Sequence, residues 1–159
     1  MVCKKTGLMT MLILLAGSAL ASEPGNLLTG PEMASCQKKE TSNGKGFADY
    51  VSCMQEQEQK TSVMVEGAYK KLLSITQSDE WLLPNVDYSD VTSPIVTENK
   101  NNLTEDQRLW IKHKSLFCGV SSSQTSSSAP MHAIYLLQCK VNLNKNRLKE
   151  FDAVFKQLQ

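Results

Sequence analysis

Apolar residues recur at spacings of three and four along three stretches of the chain, the pattern of helices that each bury one face. The clearest lies near the C-terminus, where Ile134, Leu137, Val141, Leu148, Phe151, Phe155 and Leu158 form a stripe that only Asn144 breaks. Another runs from about Phe47 to Ile75 through Val51, Met54, Val65, Ala68 and Leu72. It weakens in its middle, where the seam positions near Glu58 and Thr61 are polar. A further helix is predicted to start at Leu103-Thr104-Glu105-Asp106-Gln107. There Thr104 and Gln107 fit a capping box, and Glu105 and Asp106 sit where the helix dipole favours negative charge. Its expected core face is Leu109/Trp110, His113, Leu116/Phe117 and Val120. No alternation is long enough to build a sheet. The expected class is all-α, a small bundle of about three to four helices with a long polar loop.

The connections differ in kind. Asp79 to Asn102 contains Pro84 and Pro94 and no sustained period, so it reads as a long surface loop. Loops of that length are usually functional or mobile. This one is acidic, with Asp79, Glu80, Asp87, Asp90 and Glu98 against a single Lys100. Ser121 to Ala129 is SSSQTSSSA, a flexible linker by composition, which lets its flanking helices fold back antiparallel. Trp110 is expected to be largely buried against the last helix near Val141 or Leu137, and Trp81 to be the more exposed tryptophan.

The start of the chain changes the picture of the compartment. Lys4 and Lys5 precede a nearly unbroken apolar run from Gly7 to Ala21, which ends in Ala19-Leu20-Ala21. That is the form of a secretory signal peptide with a small-residue cleavage site. The run is shorter than the roughly 20 residues a spanning helix needs. Cleavage near Ala21 leaves residues 22–159 as one domain and takes Lys4, Lys5 and Cys3 with it, so the formal net charge moves from +1 to −1. A charge that small argues against non-specific nucleic-acid binding, which needs a clustered basic surface.

Four cysteines remain, Cys36, Cys53, Cys118 and Cys139, and in an exported chain they read as two disulfides. Sequence permits three pairings. The local one, Cys36 with Cys53 and Cys118 with Cys139, closes short loops worth roughly 3 kcal/mol each in the chain-entropy model. It would staple the helix that ends near Cys118 to the C-terminal helix. Zinc is disfavoured, because no CxxC spacing exists and His113 and His132 do not pair with the cysteines at ligand spacing.

Catalytic readings find little support. His113 and His132 lack a visible nucleophile. The loop carboxylates have no EF-hand spacing and no promise of the rigid cleft a glycosidase pair needs. The serine run contains no G-x-S-x-G elbow. Asn102-Leu103-Thr104 is a glycosylation sequon by pattern only. Asn144, alone on its stripe, is a candidate for fixing helix register. No enzyme, metal or cofactor is expected.

Several of these residues together resemble a known family. Cys36 and Cys53 are followed by Tyr69 and Leu72, then by Gln107, Trp110 and Cys118 in one helix, then by Cys139, Arg147 and Leu148. This order and spacing resembles the LprI-like lysozyme-inhibitor N-terminal domain family of small exported bacterial proteins, also called YecT-like. The resemblance covers nearly all of residues 36–150. There are departures. The family's Asp and Leu-Asn before the tyrosine are represented by Ser62, Val65 and Glu66, its Arg-Asp after the tryptophan by Lys114-Ser115, and its Gly-Gly-Ser loop by the serine run. Loss of the Asp and Arg side chains implies a missing internal ion pair.

The resemblance implies a secreted or periplasmic protein that binds a lysozyme or another peptidoglycan hydrolase. An immunity protein against a wall-degrading toxin, or an envelope structural or assembly protein, are the alternatives. If the partner is a basic lysozyme, the expected contact surface is Asp79, Glu80, Trp81, Asp87, Tyr88 and Asp90, because acidic groups steer the encounter and aromatic residues anchor it.

Overall fold

The computed structural model describes residues 26–43, 46–78, 81 and 92–157. Among these the regular elements are four helices and no strands: α1 (Pro31–Asn43), α2 (Phe47–Ile75), α3 (Thr92–Ser122) and α4 (Pro130–Gln157). The bundle is all-α. Residues 1–25, where the signal peptide is expected, and 82–91 lie outside the described residues.

Local chemistry explains most of the ends. Pro31 and Pro130 open α1 and α4, where a missing N–H costs nothing and the fixed φ suits a helix. Gly46 precedes α2 at φ 81°, a conformation that a side chain would disfavour. At its other end α2 is closed by side chains: the Thr76 hydroxyl and the Gln77 amide donate to the Leu73 carbonyl, and the Ser78 hydroxyl to that of Ile75. These groups satisfy carbonyls that the helix itself leaves without a donor.

α2 spans the residues its periodicity predicted. α3 does not. It begins at Thr92, so the supposed loop is helical from there through Asn102. Thr104 is no cap: its hydroxyl donates to the Lys100 carbonyl at 2.7 Å, one turn back inside the helix. A threonine inside a helix bonds the i−4 carbonyl in this way when helix already precedes it. Ser121-Ser128 is likewise no loose linker. Hydroxyls of Ser122, Ser123 and Thr125 donate to the carbonyls of Gly119, Val120 and Ser122, so the run forms a tight helix end. Short hydroxyl side chains compete for backbone carbonyls, which suits them to finishing a helix. The chain still folds back antiparallel.

Contacts fix the directions. Cys53 and Met54 of α2 pack near Ile134 at the start of α4, Thr61 meets Asn144, and Leu72 meets Phe151 near its end. α2 and α4 therefore run parallel. α3 runs against both: Cys118 joins Cys139, Lys114 reaches Asn144, and Gln107 reaches Arg147. α1 lies across the end where Cys36 bonds Cys53. Both disulfides have the local pairing, with Cα separations of 5.6 Å.

The apolar core is in two parts. One contains Cys36, Tyr50, Cys53, Met54 and Ile134; the other contains Val65, Leu72 and Phe151 and is flanked by Trp81, Leu103 and Trp110. Trp110 is thus half-buried rather than largely buried, and it packs against the second part, whereas Leu137 packs against the first. Trp81 is half-buried on the same cluster. Both tryptophans are half-buried.

The expected core face of α3 is also displaced. Its buried side carries Leu103, Gln107, Trp110, Lys114, Cys118 and Ser122, while Leu109, His113, Leu116, Phe117 and Val120 are exposed. Hydrophobic period misassigned the face because a cystine, a tryptophan and buried polar groups hold α3 against α4.

Ile134 is fully buried, so Ile134→Ala should cost about 2–5 kcal/mol in chemical denaturation with the disulfides intact. Val63→Ala on the exposed side of α2 should stay within about 0.5 kcal/mol. Equal losses at the two positions would contradict this core.

Candidate functional site

α2 and α3 both pack on α4 but touch each other little, which leaves a groove of about 560 Å³ between them. Its lining includes Glu58, Ser62, Val65, Gln107, Trp110 and Lys114. A volume of that size lies within the range of binding clefts, and its walls combine apolar surface with a few convergent polar groups.

The polar floor of the groove is built from side chains that meet across three helices. Asn144 is fully buried. Its amide nitrogen donates to the hydroxyl oxygens of Thr61 at 2.9 Å and Ser62 at 3.1 Å, and its carbonyl oxygen accepts from Lys114 Nζ at 2.9 Å. Lys114 Nζ also reaches Ser62 Oγ at 3.2 Å and Glu58 Oε1 at 3.4 Å. The Ser62 hydroxyl in turn donates to Glu58 Oε1 at 2.9 Å, and that of Thr61 to the Gln57 and Glu58 carbonyls at 3.0 Å. Every polar atom named here has a partner, the condition under which a buried network stabilises a fold.

The internal ion pair that the sequence departures seemed to remove is therefore present. Lys114 supplies its cation, and Glu58, one helical turn before Ser62, supplies the carboxylate. The two breaks in the apolar patterns, at Glu58 and Thr61 in α2 and at Asn144 in α4, are the two sides of this cluster.

A second buried cation, Arg147 of α4, lies against Gln107 and Trp110 of the groove wall. The Arg147 side chain is only 9% exposed and pairs with Asp106 of α3 and with Glu150 at 2.7 Å. Burial opposes its charge, but the hydrogen bonds to Glu150 and Asp106 outweigh it and raise its pKa above the ordinary value. The guanidinium lies over Phe151 at 4.6 Å and over Trp110 at 5.6 Å, and Lys114 Nζ lies 5.0 Å from the Trp110 ring centre. Arg147 of α4 over Trp110 of α3 holds the two helices together by cation–π attraction, while Lys114 meets the same ring from within α3.

The family-motif residues thus converge on the junction of α2, α3 and α4. Gln107 and Leu72 are buried, and the Tyr69 hydroxyl donates to Thr104 Oγ1 at 3.4 Å. Of the expected contact surface, Trp81 lies against the second core cluster, and Asp79, Glu80, Asp87, Tyr88 and Asp90 fall outside the described residues. His113 stacks on Phe117, and His132 Nδ1 lies 3.4 Å from Thr125 Oγ1 at the α3–α4 turn, so neither histidine faces the groove. No group of three metal-binding side chains occurs among the described residues, and no described helix is long and apolar enough to cross a membrane.

The family model described as Lysozyme inhibitor LprI matches residues 36–151. The chain belongs to the LprI family of lysozyme inhibitors. The match opens on Cys36, half of one disulfide, and closes on Phe151, a residue of the second core cluster, so it spans the whole bundle core. No curated protein and no solved structure matches this LprI-family chain. Its two disulfides and its family suit an oxidising compartment outside the cytoplasm.

Sequence reasoning missed a clamp near the N-terminus. Glu32 of α1 pairs with Lys145, Gln138 donates to Glu32 at 3.1 Å, and Asn142 donates to the Leu27 and Thr29 carbonyls at 3.0 and 2.9 Å. Gly30 lets this segment approach, since a Cβ there would collide with the buried Gln138 amide. Burial pushes the Glu32 carboxyl up, but the hydrogen bonds from Lys145 and Gln138 prevail and its pKa is lowered.

Asn144→Ala should cost about 1–3 kcal/mol, because it removes one acceptor from Lys114 and one donor from Thr61 and Ser62. Urea titration measures it, and a neutral effect would show that the cluster does not stabilise the bundle. Glu32 gives a pH signature. A carboxyl with a lowered folded pKa stabilises the fold fully above its unfolded value, near pH 4.5, and that stabilisation is lost as pH falls through the folded value. Glu32→Gln should therefore lower the melting temperature at pH 7, and the gap to the native protein should close toward pH 3. A gap of constant size would mean that the carboxylate charge does not contribute.

Proposed function

We propose that this protein is exported after signal-peptide cleavage near Ala21 and blocks a lysozyme-class peptidoglycan hydrolase by protein–protein contact. The observation that carries the proposal is the family match over residues 36–151, which spans the bundle and both of its disulfides. The geometry supports a rigid binding body: two cystines hold one end, and a buried polar layer and an arginine–tryptophan contact hold the rest. A pre-organised surface binds without a large ordering cost, which is what a protein inhibitor requires.

The acidic segment that follows α2 is the steering surface in this reading. A lysozyme acts through carboxylates in its cleft and carries a basic exterior, so complementary charge on the inhibitor accelerates encounter. Asp79, Glu80, Asp87 and Asp90 would supply that charge, with Trp81 and Tyr88 as apolar anchors.

Lysis of a cell-wall preparation by a lysozyme should slow in proportion to added protein and reach a plateau at saturation. Unchanged lysis at saturating protein would reject the inhibitor reading for that enzyme class. Replacing the four acids with Asn or Gln should reduce the association rate at low salt and leave it unchanged at high salt, since screening removes long-range steering. Equal rates for both proteins at low salt would remove the acidic segment from the mechanism.

A further inference from the structure

The outward face of α3 presents an apolar stripe that none of the described elements covers. Leu109 is 49% exposed, Leu116 62%, Phe117 39% and Val120 70%, and the exposed His113 ring stacks on Phe117 at 5.2 Å. Leu109, His113, Leu116 and Val120 repeat at spacings of four, three and four, the spacing of a coiled-coil seam. No charged residue interrupts the seam. It is bounded by Asp106, which is paired with Arg147, and by Ser123, where the helix has ended. Single exposed apolar residues are ordinary, but a contiguous stripe marks an interaction surface.

We propose that two copies of this chain pair through this stripe, α3 against α3, antiparallel about a two-fold axis. The spacing is the first reason. Four-three-four reads the same in both directions, so a reversed helix presents matching layers. Leu109 then meets Val120 of the second copy and His113 meets its Leu116, and each contact occurs twice. That reciprocity is what a two-fold interface demands.

The flanks fit the same arrangement. Gly119 lies on one side of the seam, and a Cβ built there would meet nothing within 4 Å. The aliphatic stem of Lys112 from the second copy occupies that space while its ammonium stays in water. On the opposite flank Phe117 of each copy extends the apolar contact. Pairing two such stripes, each of order a few hundred Å² of apolar surface with its flanking stems, reaches the roughly 1,000 Å² that separates a specific interface from a chance contact. The formal net charge of +1, or −1 without Lys4 and Lys5, offers no long-range repulsion between copies. The proposal does not depend on the inhibitor reading, because it uses neither the acidic segment nor the α2–α3 groove.

Sedimentation of the purified protein with both disulfides formed provides the test. The native protein should show a concentration-dependent monomer–dimer equilibrium. Leu116→Glu should weaken it by at least about tenfold, as for a central interface residue, with unchanged helicity and melting temperature in dilute solution. Leu109→Cys and Val120→Cys, prepared separately and mixed under oxidising conditions, should cross-link to each other and not to themselves. A native protein that stays monomeric to millimolar concentration overturns the proposal, as does a dimer that Leu116→Glu leaves intact. Self-linked Leu109→Cys would establish a parallel arrangement and overturn the antiparallel one. A monomeric native protein whose Leu116→Glu variant loses hydrolase inhibition would assign the stripe to the enzyme instead.

Discussion

The contact of Asn144 with Thr61, Ser62 and Lys114 is the constraint on which the arrangement of the three long helices depends. It is fully buried at Asn144, and it joins α2, α3 and α4 at one level. Stripes of aliphatic residues on parallel helices can slide by a turn and still bury hydrocarbon. A buried amide cannot, because slippage would leave its donors and acceptor without partners in a medium where each missing bond costs about 1–3 kcal/mol. The layer therefore contributes less to total stability than to uniqueness. A single polar residue in an apolar seam specifies register at some expense of stability, and Asn144 has that role here.

On either side of this layer the bundle is held differently. Toward the start of α4, covalent bonds do the work: Cys36–Cys53 ties α1 to α2, and Cys118–Cys139 ties α3 to α4. Toward its end there is no cystine, and Arg147 binds α3 through Asp106, Gln107 and the Trp110 ring. Buried cations are costly unless they are paired, and Lys114 and Arg147 both gain carboxylate partners and an aromatic face, although Arg147 Nε is buried without an acceptor. The consequence for binding is geometric. Because α3 is fastened to α4 rather than to α2, a groove stays open between α2 and α3, and the outer face of α3 stays uncovered. An inhibitor needs that combination of stiff body and accessible surface.

Much of this was legible in the sequence. The four cysteines in an exported chain announced two cystines, the helical period of residues 47–75 marked α2, and the stripe from Ile134 onward marked α4. These are local signals: a period of three and four, an oxidising compartment and short closable loops each act without knowledge of the rest of the chain. The start of α3 was not legible, because Ser93-Pro94 and the polar run to Asn102 read as loop while packing of Leu103 and Trp110 against the second core cluster supports a longer helix. The clamp of Glu32, Gln138 and Asn142 was also beyond reach, since its members lie more than a hundred positions apart.

The sequence by itself determined the all-α class, the family, the number of cystines and the two positions where the apolar stripes fail. It could not say that those two failures meet. Hydrophobic periodicity marks the most apolar side of a helix, not the side that meets a neighbour, so it placed Leu109, Leu116 and Val120 in the core. Tertiary structure displaced that face, because the cystine at Cys118, the Arg147 guanidinium on Trp110 and the amide of Asn144 orient α3 more strongly than burial of three aliphatic side chains would. Pairing, register and exposure all depend on residues distant in the chain. Only their assembly decided them.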